Sequence, residues 1–387
     1  MRLAFALALL LAAPAGRAQE RRLAFTALPV LEIPAVPEMG GATVGRATRD
    51  ARAFLQNPAA LALAPAGQAA AGTPDAVWFG ESRTRTSAAA WSGRAGRLAL
   101  GVGVAQGALS GDARTLADGT PFDPTDRYRA LGASVATAGA VRVALGATAR
   151  FISTTDAPVY DGARFSVGRL RGASADVGVL ASADVARLAG RPAAFGLAPA
   201  LDVAAGYALT HLAGTVRYTG FARQALPRTG ALGWSVRAGL DLPLGGAPGR
   251  ALRLVEAEAA FQGERRLVRE TDTATTYDAL TGGLGLRDAF TGGGSAATTG
   301  RRGVRVALAE TLALSVGRFD GGGYANVVTR GVEVSAAGAF AALAQRLTPG
   351  PRARALARTD LRVGRTTVFA GTPDAATRTT ITLVVGR

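Results

Sequence analysis

The stretch Val141-Arg142-Val143-Ala144-Leu145-Gly146-Ala147-Thr148-Ala149-Arg150-Phe151 alternates between two kinds of side chain. Val, Leu, Ala and Phe take every second position, and Arg, Ala, Gly and Thr lie between them. Successive side chains of a β-strand point to opposite faces, so this period of two predicts a strand with one apolar face. Residues 98–105 and 232–242 repeat the pattern, and similar runs continue to residue 385. The sequence therefore predicts an all-β chain from about residue 76.

Strands of this kind occur in soluble β-sandwiches and in membrane barrels. The polar face of a sandwich meets bulk water and is heavily charged, whereas many polar-phase positions here are Gly, Ala, Ser or Thr. This composition favours an antiparallel transmembrane β-barrel with an apolar outer face. We therefore predict that the following side chains point outward: Leu98, Val102, Val143, Trp234, Val236 and Leu240. The runs amount to roughly 12 to 16 strands, and an even number is expected. The chain has only 6 Tyr and 3 Trp, which is few for the aromatic girdles of such barrels.

The N-terminus has the three-part layout of a secretory signal peptide. Arg2 precedes the uncharged apolar run 4–13, and Gly16 and Ala18 place small residues before Gln19. We therefore expect residues 1–18 to be removed on export and the barrel to reside in the outer membrane. The apolar run is too short to span a bilayer as a helix. A buried N-terminal helix is the alternative.

The charge pattern bears on possible partners. The formal net charge is +16, and all 44 basic residues are arginine. The arginines are spaced singly through strands and turns, and they do not alternate with aromatic residues. Nucleic-acid interfaces concentrate basic residues on one face, so we predict no nucleic-acid partner.

The sequence lacks the residues for common catalytic and metal-binding motifs. It contains no Cys and no Lys, and His211 is its only histidine. Paired-histidine zinc sites and Lys-containing phosphate loops are therefore excluded. No Gly-x-Ser-x-Gly motif and no calcium-loop spacing of acidic residues occurs. We predict that the protein is not an enzyme and has no cofactor and no metal site.

A further segment precedes the first strand: Met39-Gly40-Gly41-Ala42-Thr43-Val44-Gly45-Arg46-Ala47-Thr48-Arg49-Asp50-Ala51-Arg52-Ala53-Phe54-Leu55-Gln56-Asn57-Pro58-Ala59-Ala60-Leu61-Ala62. It resembles the N-terminal signature of outer-membrane barrels related to FadL and to the PorV/PorQ group. In those families a Gly/Ala-rich stretch and an acidic residue precede an Asn-Pro-Ala step, which Asp50 and Asn57-Pro58-Ala59 match here. The resemblance implies about 14 strands and a plug inside the lumen.

These observations divide the chain into three parts. Residues 1–18 form the signal peptide, residues 19–75 an extended and plug segment, and residues 76–387 the barrel. Val44, Ala47, Ala51, Phe54 and Leu55 recur at helical spacing, which predicts a short helix that ends at Pro58. The alternative is an ordinary surface helix before a β-domain.

The resemblance also implies a function. It predicts a FadL-like channel for passive uptake of small or hydrophobic compounds, surrounded by outer-membrane lipid. Two alternatives stay open: a PorV/PorQ-like accessory of a secretion system that binds or anchors exported proteins, and a purely structural barrel. Asp50, Asn57, Pro58 and Ala59 are the candidate functional residues of the plug.

The polar phase of the strands predicts which side chains line the lumen. The candidates are Arg142, Arg150, Arg217, Arg237, Asp241, Arg305 and Glu333. Arginines outnumber acidic residues in this set, so we expect a net basic interior, which would favour anions. Alternatively, these arginines pair with backbone carbonyls of the plug and with Asp50 and close the barrel. We favour closure, and we expect removal of residues 39–62 to create an anion-preferring pore.

Overall fold

A computed structural model gives the fold of most of the chain. It describes residues 17–18, 38–47, 50–63, 68–72, 75–76, 83–110, 114–115, 119, 121–122, 125–160, 165–190, 196–212, 215–218, 223–243, 251–270, 275–278, 286–322, 324–347, 350, 356, 359–369 and 376–385. Residues 1–16 of the predicted signal peptide lie outside this part of the chain. Arg17–Ala18 form a small sheet with Val268–Glu270 and Thr275–Tyr277.

The main sheet is a closed ring of antiparallel strands, numbered here along the chain. Thirteen strands have 10 to 20 residues, and a five-residue strand, β1, completes the ring. The strands are β1 (Gln68–Gly72), β2 (Arg83–Ala95), β3 (Leu98–Ser110), β4 (Thr125–Thr137), β5 (Val141–Tyr160), β6 (Phe165–Asp184), β7 (Ala198–Leu212), β8 (Thr229–Pro243), β9 (Ala251–Arg266), β10 (Thr298–Leu308), β11 (Leu312–Gly321), β12 (Tyr324–Ser335), β13 (Thr359–Phe369) and β14 (Ala376–Val385).

Closure depends on β1, because it pairs with β14 on one side and with β2 on the other. The predicted all-β antiparallel barrel is therefore confirmed. A sandwich is excluded, since all the long strands belong to one ring. The ring begins at Gln68, earlier than the predicted boundary at residue 76. The Ala-rich strand 68–72 has no alternation of apolar and polar residues by which the sequence could show it.

The two ends of the barrel differ in their connections. Tight turns at 96–97, 138–140 and 309–311 lie at the end where β1 begins and β14 ends, which we call the short-turn end. The longest connection, residues 267–297, lies at the opposite end, which we call the long-loop end. In outer-membrane barrels the short turns are periplasmic and the longer loops extracellular.

The apolar side chains of the strands face outward. In β3, Leu98, Leu100, Val102 and Val104 are 42 to 53% exposed, whereas the residues between them are half-buried or buried. Val143 and Leu240 are exposed as predicted. The other exposed apolar residues of the strands include Leu131, Phe151, Val203, Val255, Val304, Val306, Leu314, Val316, Val332, Val334, Val363, Ile381 and Leu383. This arrangement is the reverse of a water-soluble fold, and a continuous apolar surface of this extent marks an interaction with lipid or protein.

The helices are short and lie in connections between strands of the ring: α1 (Val185–Leu188), α2 (Leu286–Thr291) and α3 (Ala337–Arg346). Within the described residues, none is long and apolar enough to cross a membrane. Helix α2 packs on the outer wall, where the Phe290 ring centroid lies 6.4 Å from that of Trp234. Trp234 also stacks on Phe261 with centroids 4.6 Å apart. These contacts leave Trp234, which was predicted to face outward, half-buried rather than exposed. Val236, also predicted to face outward, is likewise half-buried.

Candidate functional site

Residues 38–47 and 50–63 lie against the inner wall of the barrel, and we call them the plug. Its described residues are almost all buried, and Met39, Leu55, Asn57 and Ala59 have no exposed surface. It consists of three 3₁₀ turns, Glu38–Gly41, Ala53–Leu55 and Pro58–Leu63. The predicted helix ending at Pro58 is wrong, because Pro58 begins a turn instead. Proline suits the first position of a helical turn, and Asn57 precedes it as the N-cap.

A row of inward-facing glycines receives the plug. The glycine row consists of Gly101, Gly103, Gly132, Gly146, Gly178, Gly206, Gly233 and Gly303. Gly103 pairs with Gly132, Gly146 with Gly178, and Gly206 with Gly233.

Side chains on this row would collide with the plug. A Cβ on Gly146 would lie 2.6 Å from the Ala59 nitrogen, and one on Gly101 would lie 2.6 Å from the Ala62 nitrogen. Real Cβ contacts of this length essentially never occur. Glycine at these positions therefore lets the plug backbone lie directly against the wall.

Asn57 joins the plug to the wall. Its Nδ2 donates to the Val44 carbonyl at 2.7 Å and to the Val179 carbonyl of β6 at 3.1 Å. Its Oδ1 accepts from the Ala59 N–H at 3.1 Å. The side chain thus fixes two parts of the plug relative to each other and to β6. A buried amide with these partners is satisfied, whereas its loss would remove one hydrogen bond from each of the two carbonyls.

Arg150 on β5 holds the plug from the same side. Its side chain is fully buried and donates both to Asp176 and to the Leu55 carbonyl. Asp176 also accepts from the His211 main-chain N–H at 2.9 Å, where β7 contains a bulge. His211 has φ 57°, and its Nδ1 lies 3.3 Å from the Ser174 hydroxyl. This cluster orders the bulge and the plug: Ser174 lies beside the His211 ring, and Asp176 bonds to the His211 main chain.

The first half of the plug contacts the opposite wall. The Gln262 side chain on β9 accepts from the Thr43 and Val44 N–H groups at 3.0 and 3.1 Å. Arg46 forms a bidentate ion pair with Glu258, with both contacts at 2.8 Å. The plug therefore bridges the lumen from β9 to β3. Sequence reasoning missed Gln262, and it interpreted Glu258 only as solvated or lumen-facing, although both lie in the polar phase of their strand.

The predicted plug residues are placed as follows. Asn57 and Pro58 contact the wall at Gly178, and Ala59 contacts it at Gly146. Asp50 forms an ion pair with Arg52, whose side chain is buried, at 2.5 Å. The carbonyl contact expected for the lumen arginines occurs at Arg150.

The predicted lumen residues other than Arg150 and Arg217 lie towards the short-turn end, where inward arginines and acids form several ion pairs. Arg237 pairs with Asp202 at 3.0 Å. Arg305 pairs with Glu256 at 3.1 Å and with Glu333 at 2.9 Å. Arg253 joins Asp241 and Glu256, both at 2.7 Å, and Arg362 joins Asp360. Arg142 is half-buried beside Asp202 and Asp184. The backbone of Arg217 lies opposite Arg171, and its side chain is outside the described part.

These ion pairs correct the expectation of a net basic interior. Acidic residues that sequence counting left out, Asp202, Glu256, Glu258, Glu264 and Asp360, accept from inward arginines. Where the structure describes the lumen, acids therefore balance the arginines. Within the same residues, no three His, Cys, Asp or Glu side chains are grouped in a way that could hold a metal ion.

The fold and the site define a plugged β-barrel with an apolar outer wall. No protein-family model and no curated protein sequence matches the chain. Among solved structures, it is similar to the toluene transporter TbuX of Ralstonia pickettii, with 12% identity, TM-score 0.42, and coverage of 91% of this chain and 97% of that one. It is also similar to the toluene transporter TodX of Pseudomonas putida (12% identity, TM-score 0.38, coverage 90% and 95%) and to the translocator domain of the autotransporter NalP from Neisseria meningitidis (11%, 0.36, 82% and 86%). These similarities are weak, so the proposals below rest on the residues of this chain.

Proposed function

We propose that the protein is an outer-membrane β-barrel that acts as a FadL-like channel for passive uptake of small or hydrophobic compounds. The outward apolar residues support placement in a membrane. Burying one Val or Leu side chain stabilises a protein by about 1.5–3 kcal/mol, and here lipid supplies that burial. A closed ring also satisfies the backbone hydrogen bonds of every strand, which hydrocarbon requires.

The observation that carries the channel proposal is an apolar cluster between plug and wall. Phe54, Leu55 and Leu61 of the plug pack with Tyr128 and Ile152 of the wall. Leu109, near the long-loop end of β3, packs against the same cluster. A hydrophobic solute that enters from the long-loop end would therefore meet apolar side chains at the plug surface. Apolar lining with few polar groups is typical of sites for such ligands.

Passage requires the plug to shift, since it lies directly against the glycine row. A small number of polar contacts, notably those of Asn57 and Arg150, fix it on the β5–β6 side. We infer a closed resting state that opens by a local movement of the plug. Such a channel conducts ions poorly while it still admits apolar solutes along the plug-wall interface.

The second candidate is a PorV/PorQ-like accessory that binds or anchors exported proteins. A lumen filled by the plug favours it, because a protein-binding barrel has no need of a pore. The two candidates differ in what reaches the cell. A channel raises the entry rate of a hydrophobic probe, whereas an accessory barrel retains exported proteins at the surface without changing probe entry.

The test measures uptake by a Gram-negative host that expresses the protein. The probe is a small hydrophobic fluorophore whose emission rises when it reaches phospholipid. We expect faster uptake than in host cells without the protein. Ile152→Asn places an amide in the apolar cluster and should slow uptake severalfold. Thr154→Val, on the same strand and face, removes a buried hydroxyl without a hydrogen-bond partner and should leave uptake unchanged.

Equal uptake with and without the folded protein would refute the channel. If exported proteins were then lost from the surface on deletion of the gene, the accessory role would replace it. The shift in gel mobility on heating, which folded barrels show, confirms that both variants are folded.

A further inference from the structure

Arginines also occur on the outer wall, where fewer of the described ones have acidic partners than in the lumen. Four of them, on the adjacent strands β10 to β13, share the outward phase of the exposed apolar residues. They are Arg302, Arg318, Arg330 and Arg365, and we call them the outer arginine patch. On each strand an exposed valine lies two residues from the arginine, and the arginine is the one nearer the long-loop end. These valines are Val304, Val316, Val332 and Val363.

The strand register places the four side chains next to one another. Arg302 is directly opposite Arg318. Arg330 is opposite Val316, so it lies diagonal to Arg318. In the same way, Arg365 is opposite Val332, so it lies diagonal to Arg330. Directly opposed residues have Cβ atoms about 4.5–5.5 Å apart, and diagonal ones about 7–8 Å. Like charges at these separations repel one another unless an anion lies between them.

Few acidic groups of the protein compensate this charge. Arg318 pairs with Asp320 at 3.1 Å. Within the described residues, Arg302, Arg330 and Arg365 have no carboxylate within ion-pair distance. Arg330 instead lies over the Phe369 ring, 5.4 Å from its centroid. Inward arginines of the same strands behave differently, because Arg301, Arg305 and Arg362 are all ion-paired.

The patch lies at only one edge of the apolar surface. Towards the short-turn end, the outward positions of these four strands end in Leu308, Leu312, Val334 and Leu361, all exposed. A second set of outward arginines lies at the long-loop side of β2, β4 and β6: Arg85, Arg127, Arg129 and Arg171, all exposed. Arg127 and Arg171 are each opposite Ser153 of β5. Basic residues thus border the apolar surface at the long-loop side.

We propose that the outer arginine patch binds the phosphate groups of anionic lipid head groups in the leaflet at the long-loop end. The proposal rests on the membrane placement proposed above and not on channel activity. Arginine presents a planar fork of donors that matches phosphate geometry in bidentate contacts. A phosphate held by two neighbouring arginines also removes their mutual repulsion. Lipid is the source that the position selects, because the patch directly adjoins the side chains that contact acyl chains.

The experiment uses the full-length protein, purified in a neutral detergent and titrated with diphosphorylated lipid A. Native mass spectrometry counts the lipid molecules retained by each barrel. The triple variant R302Q/R330Q/R365Q removes three unpaired charges of the patch. The matched control R94Q/R97Q/R187Q removes three exposed arginines at the short-turn end. At about one kcal/mol per arginine near a lipid surface, the patch variant should bind lipid A on the order of 100-fold more weakly.

The control should bind lipid A as the wild type does, and dephosphorylated lipid A should bind weakly to all three proteins. Inorganic phosphate at millimolar concentration should not displace lipid A. Displacement by inorganic phosphate would show that free phosphate is the ligand and would overturn the lipid assignment. Equal lipid A retention by the wild type and the patch variant would also overturn it.

Probe uptake separates this inference from the proposed channel. We expect the patch variant to keep the wild-type uptake rate. If cells with the wild-type protein take up no probe, while lipid A binding is lost only in the patch variant, the channel is refuted and the lipid site is not. Normal uptake with patch-independent lipid binding would refute only the lipid site.

Discussion

Substituting Gly146 by serine tests whether the plug depends on direct backbone contact with the wall. In sequence terms an inward glycine tolerates serine unless its surroundings are crowded, and the structure shows that they are. A Cβ there would lie 2.6 Å from the Ala59 nitrogen, whereas ordinary van der Waals contact begins near 3.4 Å. The neighbouring strand gives no room, since a Cβ on Gly178 would lie 3.0 Å from Asn57 Cγ. The plug must therefore move away from β5.

The size of the effect follows from two contributions. Overpacking of a close-packed site costs about 1–3 kcal/mol. Movement away from β6 also stretches the hydrogen bond from Asn57 to the Val179 carbonyl, worth about 1 kcal/mol more. A combined shift of about 2–4 kcal/mol changes the ratio of seated to displaced plug by roughly 30- to 800-fold.

The assay is conductance in planar bilayers together with heat unfolding followed by gel mobility. We expect Gly146→Ser to conduct far more often than the wild type and to unfold at a lower temperature. Gly338→Ser in α3 is the control, because its nearest neighbour would be a Thr311 methyl carbon at 3.8 Å. If Gly146→Ser conducts as rarely as the wild type and unfolds at the same temperature, the wall does not hold the plug by close contact.

Four further predictions follow from the plug, the outer wall and the leader. Asn57→Ala leaves the Val44 and Val179 carbonyls without their amide partner, so limited proteolysis within residues 38–63 should accelerate at least tenfold. Gln106→Ala, which removes an exposed amide on the outer face of β3, should not change it. Val102→Arg, at an exposed site on the outer face of β3, should reduce the stability of the barrel folded in lipid vesicles by about 2–4 kcal/mol near the bilayer midplane, and a variant as stable as Val102→Ile would contradict the lipid-facing assignment. Deleting residues 39–62 should open a large pore that prefers cations, because the deletion removes Arg46 and leaves the Glu258 carboxylate unpaired in the lumen. The reversal potential in a salt gradient measures this preference, and an anion preference would show that the lumen acids do not control selectivity. N-terminal sequencing of the mature protein should begin at Gln19, and sequencing that begins at Met1 would exclude the signal peptide.

The sequence was most informative about features that depend on residues adjacent in the chain. Alternation over residues 141–151 predicted a strand and its outward face, because strand geometry sets the direction of each side chain from the one before. The same reasoning failed for the five-residue Ala-rich strand β1, which has no polar partner phase. It also failed for the plug, where helical spacing of apolar residues suggested one helix. Pro58 and the contacts with the wall produce short turns instead.

The candidate site was only partly readable. Asn57, Pro58 and Ala59 were found through a resemblance, and Arg150 through its phase, but their partners Val179, Leu55 and Gly146 come from distant parts of the chain. The charge of the lumen was misjudged because a count of arginines and acids in separate strands does not show which of them meet. Glu258 is paired with Arg46, 212 positions away.

The sequence by itself determined that this is a chain of alternating strands with an apolar face and an Asn-Pro-Ala segment before them. It did so because side-chain direction in a strand is a local property with a period of two residues. Only the tertiary structure decided how the ring closes, that the plug lies against the glycine row, and which arginines are paired. Those features depend on the register between strands, and register is set by contacts between residues far apart in the chain.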